Sequence, residues 1–297
     1  MAEFDTVKSY RFIEELGSGA FGQVFRVEDL RDNKICALKV VEEVKDGIED
    51  VSGKQEVRFL KALKGVAGIP DLLDSFSMEK KLCIITPLLL SDLGHFLRHN
   101  PNRRFTPKTV ARIGNDLITI LKSVHSHGIV HRDIKPDNLL LGETLQNARL
   151  FLSDFGMAFR YSTAGGVKIR APRLSYSFEQ PVHTTPVMMV ENKATPLDDV
   201  VMSLYTLVFI SGLFPFNEPT WTGRYFQKSD FMDSPETILV GENSWLVPFA
   251  EKVCGYEKEE IVDYEELCVL LTNSFDAPID TNSPYELTPL NGRFVLY

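Results

Sequence analysis

The chain has few cysteines and no stretch that resembles a secretion signal. Its four cysteines lie far apart along the 297 residues, at Cys36, Cys83, Cys254 and Cys268. This spacing does not match a metal site, and it is typical of free thiols in a reducing compartment. Residues 1–5 have neither the basic nor the apolar part of a signal peptide. We therefore expect an intracellular protein, either cytoplasmic or nuclear.

The chain also lacks a long uninterrupted apolar run. Its longest apolar stretch, residues 200–216, is broken by serine, threonine, glycine and proline. It is too short and too interrupted to span a bilayer. Because it is apolar on every side, it predicts a buried helix instead. We expect no membrane association.

Positive charge is scarce. Lysine and arginine total 32 against 41 aspartates and glutamates, which gives a net charge of −9. Nucleic acids attract basic surfaces, so this balance argues against a nucleic-acid partner. With 44% hydrophobic and 25% charged residues, the composition is that of a globular protein with a large core.

A short polar segment, residues 131–138, reads His-Arg-Asp-Ile-Lys-Pro-Asp-Asn, and Ser-Asp-Phe-Gly follows at residues 153–156. Two short apolar runs flank a turn-like stretch between them, which predicts a hairpin. An antiparallel hairpin places the start of its first strand beside the end of its second. Asn138 and Asp154 should therefore meet at one edge, next to Asp133.

These residue types suit phosphoryl transfer, a reaction that needs a positioned hydroxyl, a proton acceptor and positive charge on the phosphate oxygens. Asp133 would orient and deprotonate the hydroxyl, and Lys135 would neutralise charge on the transferred group. Asn138 and Asp154 would hold Mg²⁺, which prefers oxygen ligands. The length of the match to the kinase catalytic-loop and metal-loop patterns argues against a chance polar loop.

A glycine-rich segment lies upstream, at residues 17–24. Its glycines allow backbone amides to approach phosphates closely. A dinucleotide-binding fingerprint would require a helix after them. Instead, alternating β-branched residues follow and predict a strand, so a glycine-rich hairpin over ATP is favoured. The residues predicted to contact the nucleotide here are Leu16, Gly17, Ser18, Gly19, Ala20, Phe21, Gly22 and Val24.

Lys39 lies in an apolar strand, where a lysine is usually a solvated edge residue. A helix is predicted over residues 52–64, with Ser52 and Gln55 as a capping box. Glu56 shares a face with the apolar residues three, four and seven positions later. A carboxylate on an inward face should be paired. We therefore predict that Glu56 pairs with Lys39, which would grip the α- and β-phosphates; a surface glutamate is the alternative.

Taken in order, these motifs resemble those of the eukaryotic protein kinase family over nearly the whole chain. The resemblance implies an α+β fold, a single kinase domain over residues 1–297 that uses ATP and Mg²⁺. Its small lobe, residues 1–86, would be an antiparallel sheet with one helix. A hinge would follow at residues 87–91, and a mainly α-helical lobe at residues 92–297. The Lys-Pro-Asp-Asn of the catalytic segment is typical of serine/threonine kinases.

Looser matches resemble the casein kinase I group, including its tau-tubulin and vaccinia-related kinase branches. They lie in residues 65–70, 160–173 and 234–275. An Ala-Pro-Glu-like segment is missing, and residues 184–189 are at best a blurred version of the group's own pattern. That departure puts the peptide-binding floor in doubt. The resemblance implies a monomer that acts on protein substrates.

Residues 157–178 contain no acidic residue. A solvated basic loop is one interpretation of this segment. A site for an acidic or already phosphorylated substrate is the other, and the casein kinase I resemblance implies it. The basic residues of this segment are Arg160, Lys168, Arg170 and Arg173.

The hinge, which would bind the adenine base, follows an apolar strand. If Thr86 is the gatekeeper, Pro87 offers its carbonyl and Leu89 its N–H to the base. If Ile85 is the gatekeeper, Thr86 and Leu88 do so. Proline lacks an N–H, which is harmless in either arrangement.

Two predicted helices of the large lobe are expected to position the catalytic segment. One should begin at Thr106 and Pro107, carry an apolar stripe, and end at Gly128 just before the catalytic segment. The other is the buried helix of residues 200–216. By resemblance, Asp199 or Asp198 would start that helix and hold the backbone of the catalytic segment.

The alternative from another class is a catalytically silent scaffold that binds partners through a kinase fold. Silent relatives commonly lose one of four groups, and this chain keeps all four: Lys39, Asp133, Asn138 and Asp154. A ligand-binding module without transfer would bind nucleotide and form no product.

Overall fold

The computed structural model describes residues 6–19, 22–45, 47–142, 144–162, 183–191, 194–257, 260–277, 279–290 and 293–297. It has an antiparallel-sheet lobe with one helix and a mainly helical lobe, which confirms the predicted two-lobed α+β fold. The strands are β1 (Thr6–Val7), β2 (Tyr10–Gly19), β3 (Gly22–Asp29), β4 (Lys34–Glu42), β5 (Val44–Lys45), β6 (Ile48–Glu49), β7 (Asp74–Met78), β8 (Lys81–Pro87), β9 (Ser91–Asp92), β10 (Ile129–Val130), β11 (Leu139–Gly142), β12 (Arg149–Leu152), β13 (Phe159–Arg160), β14 (Leu287–Leu290) and β15 (Arg293–Leu296). The helices are α1 (Ser52–Ala62), α2 (Leu93–His99), α3 (Pro107–Ser126), α4 (Pro186–Glu191), α5 (Pro196–Ile210), α6 (Trp221–Asp233), α7 (Val247–Cys254) and α8 (Tyr264–Thr272).

The sheet of the small lobe has six strands in the order β1-β2-β3-β4-β8-β7, and all of its pairs are antiparallel. Side chains alternate between its two faces, as the pleat requires. Leu38 and Ile85 point into a core cluster on one face. Their neighbours Lys39 and Ile84 point to the opposite face, where the cleft between the lobes lies. The sheet is therefore the roof of that cleft.

Helix α1 is present, but the predicted capping box is wrong. Val51 is the N-cap and makes no side-chain capping bond, while Ser52 is already helical. The N–H of Ser52 is instead accepted by Oδ1 of Asp50 at 2.8 Å. The acceptor thus comes from two residues upstream and satisfies one of the N–H groups that a helix start leaves unpaired. The helix also ends at Ala62, two residues before the predicted end.

The predicted hairpin after the catalytic segment is present as β11 and β12. Leu139 lies opposite Leu152, and Gly142 lies opposite Arg149. Strand β9 pairs with the free edge of β11 and makes a small three-stranded sheet. This sheet forms part of the floor of the cleft.

Helix α3 begins and ends as predicted. The Thr106 hydroxyl accepts the N–H of Thr109 at 3.3 Å and caps the helix. At its end, Gly128 has a φ of +71°. A Cβ there would lie 2.7 Å from the carbonyl oxygen of Ser162, so this turn requires glycine.

Helix α5 is buried, as the apolar stretch predicted, but it spans Pro196–Ile210 and not residues 200–216. It begins earlier because Thr195 and Asp198 form a capping box. It ends earlier because Gly212, with a φ of +92°, turns the chain away. Hydropathy located the buried core of this helix, while the polar first turn and the glycine set its ends.

All four cysteines are free thiols, two of them buried (Cys36 and Cys83) and two partly exposed (Cys254 and Cys268). Within the described ranges, no helix combines the length and the apolar character needed to cross a membrane.

Candidate active site

A single buried carboxylate holds the backbone of the catalytic segment. Asp199 is fully buried on α5. Its Oδ2 accepts the N–H of His131 at 2.7 Å, and its Oδ1 accepts the N–H of Arg132 at 2.8 Å. Oδ2 also lies 2.8 Å from Nε2 of His125. Asp199, and not the adjacent Asp198, is therefore the residue that ties α5 to this segment, whereas the start of α5 lies upstream at Pro196.

Asp198 accepts hydrogen bonds from different groups. Its Oδ2 accepts the N–H of Thr195 at 2.8 Å, which completes the capping box of α5. Its Oδ1 accepts the hydroxyl of Thr185 at 2.6 Å. Burial raises the pKa of Asp198, although these donors oppose the shift. The two neighbouring aspartates thus hold two different loops.

His131 connects the catalytic segment to the residues before Asp154. Its Nδ1 accepts the N–H of Asp133 at 3.2 Å, and its Nε2 lies 2.9 Å from the carbonyl oxygen of Ser153. Burial lowers the pKa of His131. The neutral ring with its proton on Nε2 fits both bonds. Its ring also meets Phe155 edge-on, with centroids 4.7 Å apart.

Asp133 is 6% exposed and lies within a small polar network. Its Oδ2 accepts the ammonium group of Lys135 at 2.7 Å and the side-chain amide of Asn138 at 2.9 Å. The same amide donates to the main-chain carbonyl of Asp133 at 2.8 Å. A carboxylate fixed in this way can accept a proton from a hydroxyl placed beside it.

Asn138 and Asp154 meet at one edge, as the hairpin predicted. The N–H of Ser153, the residue before Asp154, donates to the carbonyl of Asn138 at 2.9 Å. Asn138 and Asp154 both line the cleft. Asp133 is not among the cleft-lining residues, but it is hydrogen-bonded to Asn138. The predicted acceptor and the predicted metal ligands therefore belong to one site.

Two non-glycine residues of these loops have left-handed backbones. Arg132 has a φ of +71° and Asp154 a φ of +60°. Such conformations cost energy and persist where the surroundings enforce them, often at functional sites. Here the Asp199 carboxylate holds the N–H of Arg132, and the N–H of Gly156 donates to Asp154 at 3.3 Å.

Lys39 joins the two lobes. Its Nζ lies 2.7 Å from Oε2 of Glu56 and 2.9 Å from Oδ1 of Asp154. Burial disfavours its charge, yet the two carboxylates outweigh this and raise the pKa of Lys39. Burial opposes ionisation of Asp154 too, and the charge of Lys39 overcomes it and lowers that pKa. The predicted Lys39–Glu56 pair is present, and the alternative of a surface glutamate is wrong, since Glu56 is 6% exposed.

The glycine-rich segment forms the β2–β3 hairpin, so a strand follows the glycines and the dinucleotide alternative is excluded. The cleft beneath it has a volume of about 680 Å³. Of the predicted nucleotide contacts, Leu16, Gly17, Val24, Lys39 and Glu56 line the cleft. Ser18, Gly19 and Gly22 lie in the hairpin but are not cleft-lining, and Ala20 and Phe21 lie outside the described residues.

Gly22 has a conformational reason to be glycine, and we expect Gly22→Ala to destabilise the protein by about 1–3 kcal/mol. Its φ is +120°, and a Cβ would lie 2.2 Å from the carbonyl oxygen of Val40. Gly17 has open space around it, so Gly17→Ala is the matched control and should change stability by less than about 0.5 kcal/mol. Urea unfolding measures both. Equal effects would show that the backbone at Gly22 is not constrained.

The structure distinguishes the two gatekeeper alternatives. Thr86 lies opposite Ala37 in the sheet, and both residues line the cleft. Ile85 is fully buried in the core cluster on the other face of the sheet. A gatekeeper must face the cleft, which favours Thr86, with Pro87 and Leu89 following it.

Several residues that line the cleft did not figure among the predicted contacts. Ala37 could have been found, because it lies two positions before Lys39 and so shares its face. Leu140, in the floor, required knowledge of how the hairpin packs. The other lining residues outside the predicted contacts and the predicted hinge are Arg26, Leu60, Pro70, Ile84, Asp92, His95, Arg98, Asp137 and Ser153.

Comparison with known families agrees with this geometry. The protein kinase domain pattern matches residues 10–194, more than half of the chain. The chain belongs to the protein kinase family.

Two curated relatives carry the casein kinase I name, which agrees with the predicted resemblance to that group. A putative casein kinase I of Caenorhabditis elegans is 33% identical over 193 residues, which cover 64% of this chain and 56% of that protein. A probable casein kinase I homolog of Encephalitozoon cuniculi is 34% identical over 164 residues, which cover 55% and 50%. The chain spans about half the length of the curated relatives it matches.

Proposed function

We propose that this protein is an active serine/threonine kinase that transfers the γ-phosphate of ATP to a protein hydroxyl. One observation carries the proposal. Lys39, Asn138 and Asp154 line a single cleft; Lys39 pairs with Asp154 across the two lobes, and Asn138 is hydrogen-bonded to Asp133. A chain that only scaffolds partners has no physical need for this connected set of buried ionisable groups, which are costly to bury.

ATP would bind with its adenine between the sheet and the floor of the cleft. Val24 and Ala37 line the roof and Leu140 the floor. Lys39, fixed by Glu56, would contact the α- and β-phosphates. The hinge at residues 87–91 would supply the carbonyl of Pro87 and the N–H of Leu89. The lobe boundaries at residues 86 and 92 stay predictions.

The donor set at the edge of the cleft fits Mg²⁺. Asn138 uses its amide N–H groups toward Asp133, which leaves its side-chain oxygen for a cation. Asp154 adds a carboxylate, and Mg²⁺ prefers such oxygen ligands. Among the described residues, no three His, Cys, Asp or Glu side chains form a metal cluster, so this pair would share the ion with the phosphates. When bound, Mg²⁺ neutralises phosphate charge.

In the proposed reaction, Asp133 orients the acceptor hydroxyl and takes its proton. Lys135, whose ammonium group is 2.7 Å from Asp133, would neutralise charge on the transferred phosphoryl group. The hydroxyl oxygen forms the new bond to the γ-phosphorus as the bond to the β-γ bridging oxygen breaks, and ADP leaves. The lysine in the Lys-Pro-Asp-Asn segment supports a serine or threonine acceptor over tyrosine.

A peptide array with labelled ATP and Mg²⁺ tests this proposal. Serine and threonine peptides should incorporate phosphate, while tyrosine peptides should not. Nucleotide binding without labelled product would favour the ligand-binding module, and inertness toward every peptide would favour the scaffold.

We further propose a preference for acidic or phosphorylated substrates, carried by the basic residues of residues 157–178. Replacing all four with neutral residues should lower the kcat/KM for acidic peptides far more than for neutral ones. Equal losses for both peptide classes would remove this proposal. Of the four, Arg160 is described and Lys168, Arg170 and Arg173 lie outside the described residues. A monomer without nucleic-acid or membrane partners stays our prediction.

A further inference from the structure

A lysine is buried beneath the chain segment that leads into α4. Lys228, on α6, is only 1% exposed. Its Nζ donates to the main-chain carbonyl of Thr184 at 2.5 Å, and Sδ of Met189 lies 3.9 Å away. The rings of Tyr205 and Phe216 each have their centroid 5.7 Å from Nζ. One carbonyl oxygen and two aromatic faces therefore surround the ammonium group.

This burial is unfavourable for a cation. Within the described part of the chain, no carboxylate lies within ion-pair distance of Lys228. Burial, together with a smaller contribution from the charge of Arg224, lowers the pKa of Lys228 to about 7. An apolar side chain of similar size would fill this space at lower cost. The distinctive contribution of the lysine is its bond to Thr184.

The bond holds one side of a buried segment, residues 183–185. The hydroxyl of Thr185 donates to Asp198 on α5 at 2.6 Å. Lys228 holds the preceding residue, Thr184, from α6. His183 packs edge-on against Phe209, with ring centroids 5.5 Å apart. Two helices of the large lobe, α5 and α6, thus meet at this segment.

This segment lies close enough to the catalytic segment for a charge there to act on His183. Burial lowers the pKa of His183 to about 3, and the charges of Lys228 and Lys135 contribute. Lys135 pairs with Asp133 at 2.7 Å. Residues 183–185 therefore lie within electrostatic range of the group predicted to neutralise the transferred phosphate.

We propose that Lys228 is a positioning residue that anchors the main chain of residues 183–185 and with it the surface on which the peptide acceptor lies. The chain has no Ala-Pro-Glu-like segment in this region, and Lys228 supplies an anchor from α6 instead. The anchoring of this segment does not depend on whether the protein is an active kinase. The expected effect on the KM for peptide does rest on the proposed kinase function. Lys228 does not touch the reacting atoms.

Hydrogen exchange tests the anchor directly. In Lys228→Met, the amides of residues 183–191 should exchange about tenfold faster, because a hydrogen bond from a charged group is lost. The Tm should stay close to that of the wild type, since the loss is offset by removing a buried cation. Lys122→Met is the matched control, because Lys122 is 51% exposed and pairs with Glu265 at the surface. Unchanged exchange in Lys228→Met would overturn the proposal.

Kinetics test the consequence. Lys228→Met should raise the KM for peptide about tenfold while the KM for ATP and the hydrolysis of ATP by water stay unchanged. Faster exchange without any change in peptide KM would reduce Lys228 to a structural residue and overturn its positioning role. If the wild type phosphorylates no peptide, the kinase proposal fails. The affinity for a fluorescent acceptor peptide, measured by anisotropy, then decides the role of Lys228 by the same tenfold criterion.

The pH dependence of hydrogen exchange in the wild-type protein tests the anchor without any substitution. The groups facing Lys228 are Arg224 on α6, His183, Met189 on α4, Tyr205 on α5 and Phe216. Because burial lowers the pKa of Lys228 to about 7, its charge is present below that pH and lost above it. Protection of residues 183–191 should therefore decline above pH 7, after correction for intrinsic exchange. Protection independent of pH would contradict a contribution of the ammonium charge to the anchor.

Discussion

Asp133→Ala is expected to lower the rate of phosphate transfer by about 10²–10⁴-fold, because it removes the positioned proton acceptor. ATP binding should survive, since the groups proposed to hold the nucleotide lie elsewhere in the cleft. Phosphate incorporation from labelled ATP and the binding of a fluorescent nucleotide measure the two effects separately. A large loss of transfer with intact nucleotide binding is the result we expect.

Asp137→Ala is the matched control for this experiment. Asp137 is in the same short segment, but its side chain is 59% exposed and lies 3.7 Å from Arg98. Its loss should leave transfer close to wild type. If Asp133→Ala and the wild type are equally inert across many acidic substrates, the protein is a scaffold. If both are equally active, Asp133 is not the proton acceptor.

Asp199→Ala should destabilise the protein by about 3–5 kcal/mol, which is a large share of the stability of an ordinary domain. The substitution leaves the N–H groups of His131 and Arg132 and the ring of His125 without their buried acceptor. Urea unfolding measures the loss. Hydrogen exchange at residues 131 and 132 should also become faster.

Asp198→Ala provides the comparison, because Asp198 is also buried but holds different groups from those that Asp199 holds. Asp198 caps α5 and accepts the hydroxyl of Thr185. The loss of a helix cap costs about 1 kcal/mol, and the buried Thr185 hydroxyl left without its acceptor costs a further amount of about 1–3 kcal/mol, but exchange at residues 131 and 132 should not change. Equal effects of the two substitutions on these two amides would contradict a dedicated role for Asp199 in the catalytic segment.

Much of the candidate site could be predicted because its residues are close in sequence. The separation of Asn138 and Asp154 by two apolar runs and a turn predicted their meeting, and the hairpin places Leu139 opposite Leu152. Glu56 could be assigned to an inward face because helical spacing relates it to its apolar neighbours. Local periodicity is sufficient for such inferences, since each depends on one strand pair or one helix.

The errors also have a physical reason. Ser52 looked like a cap because a glutamine followed at the right spacing, yet Asp50 supplies the acceptor. The apolar run at residues 200–216 misplaced both ends of α5, because a polar first turn and a glycine set them. Helix ends depend on which side chains reach the unpaired backbone groups, and hydropathy does not report this.

The sequence by itself determined the protein class and the identity of the polar groups at the site, because short motifs encode their own local geometry. Tertiary structure decided that Asp199 and not Asp198 holds the catalytic segment, and that Thr86 and not Ile85 faces the cleft. It also buried Lys228 against the carbonyl of Thr184. These outcomes depend on contacts between residues far apart in the chain, where packing selects among partners that look alike in sequence.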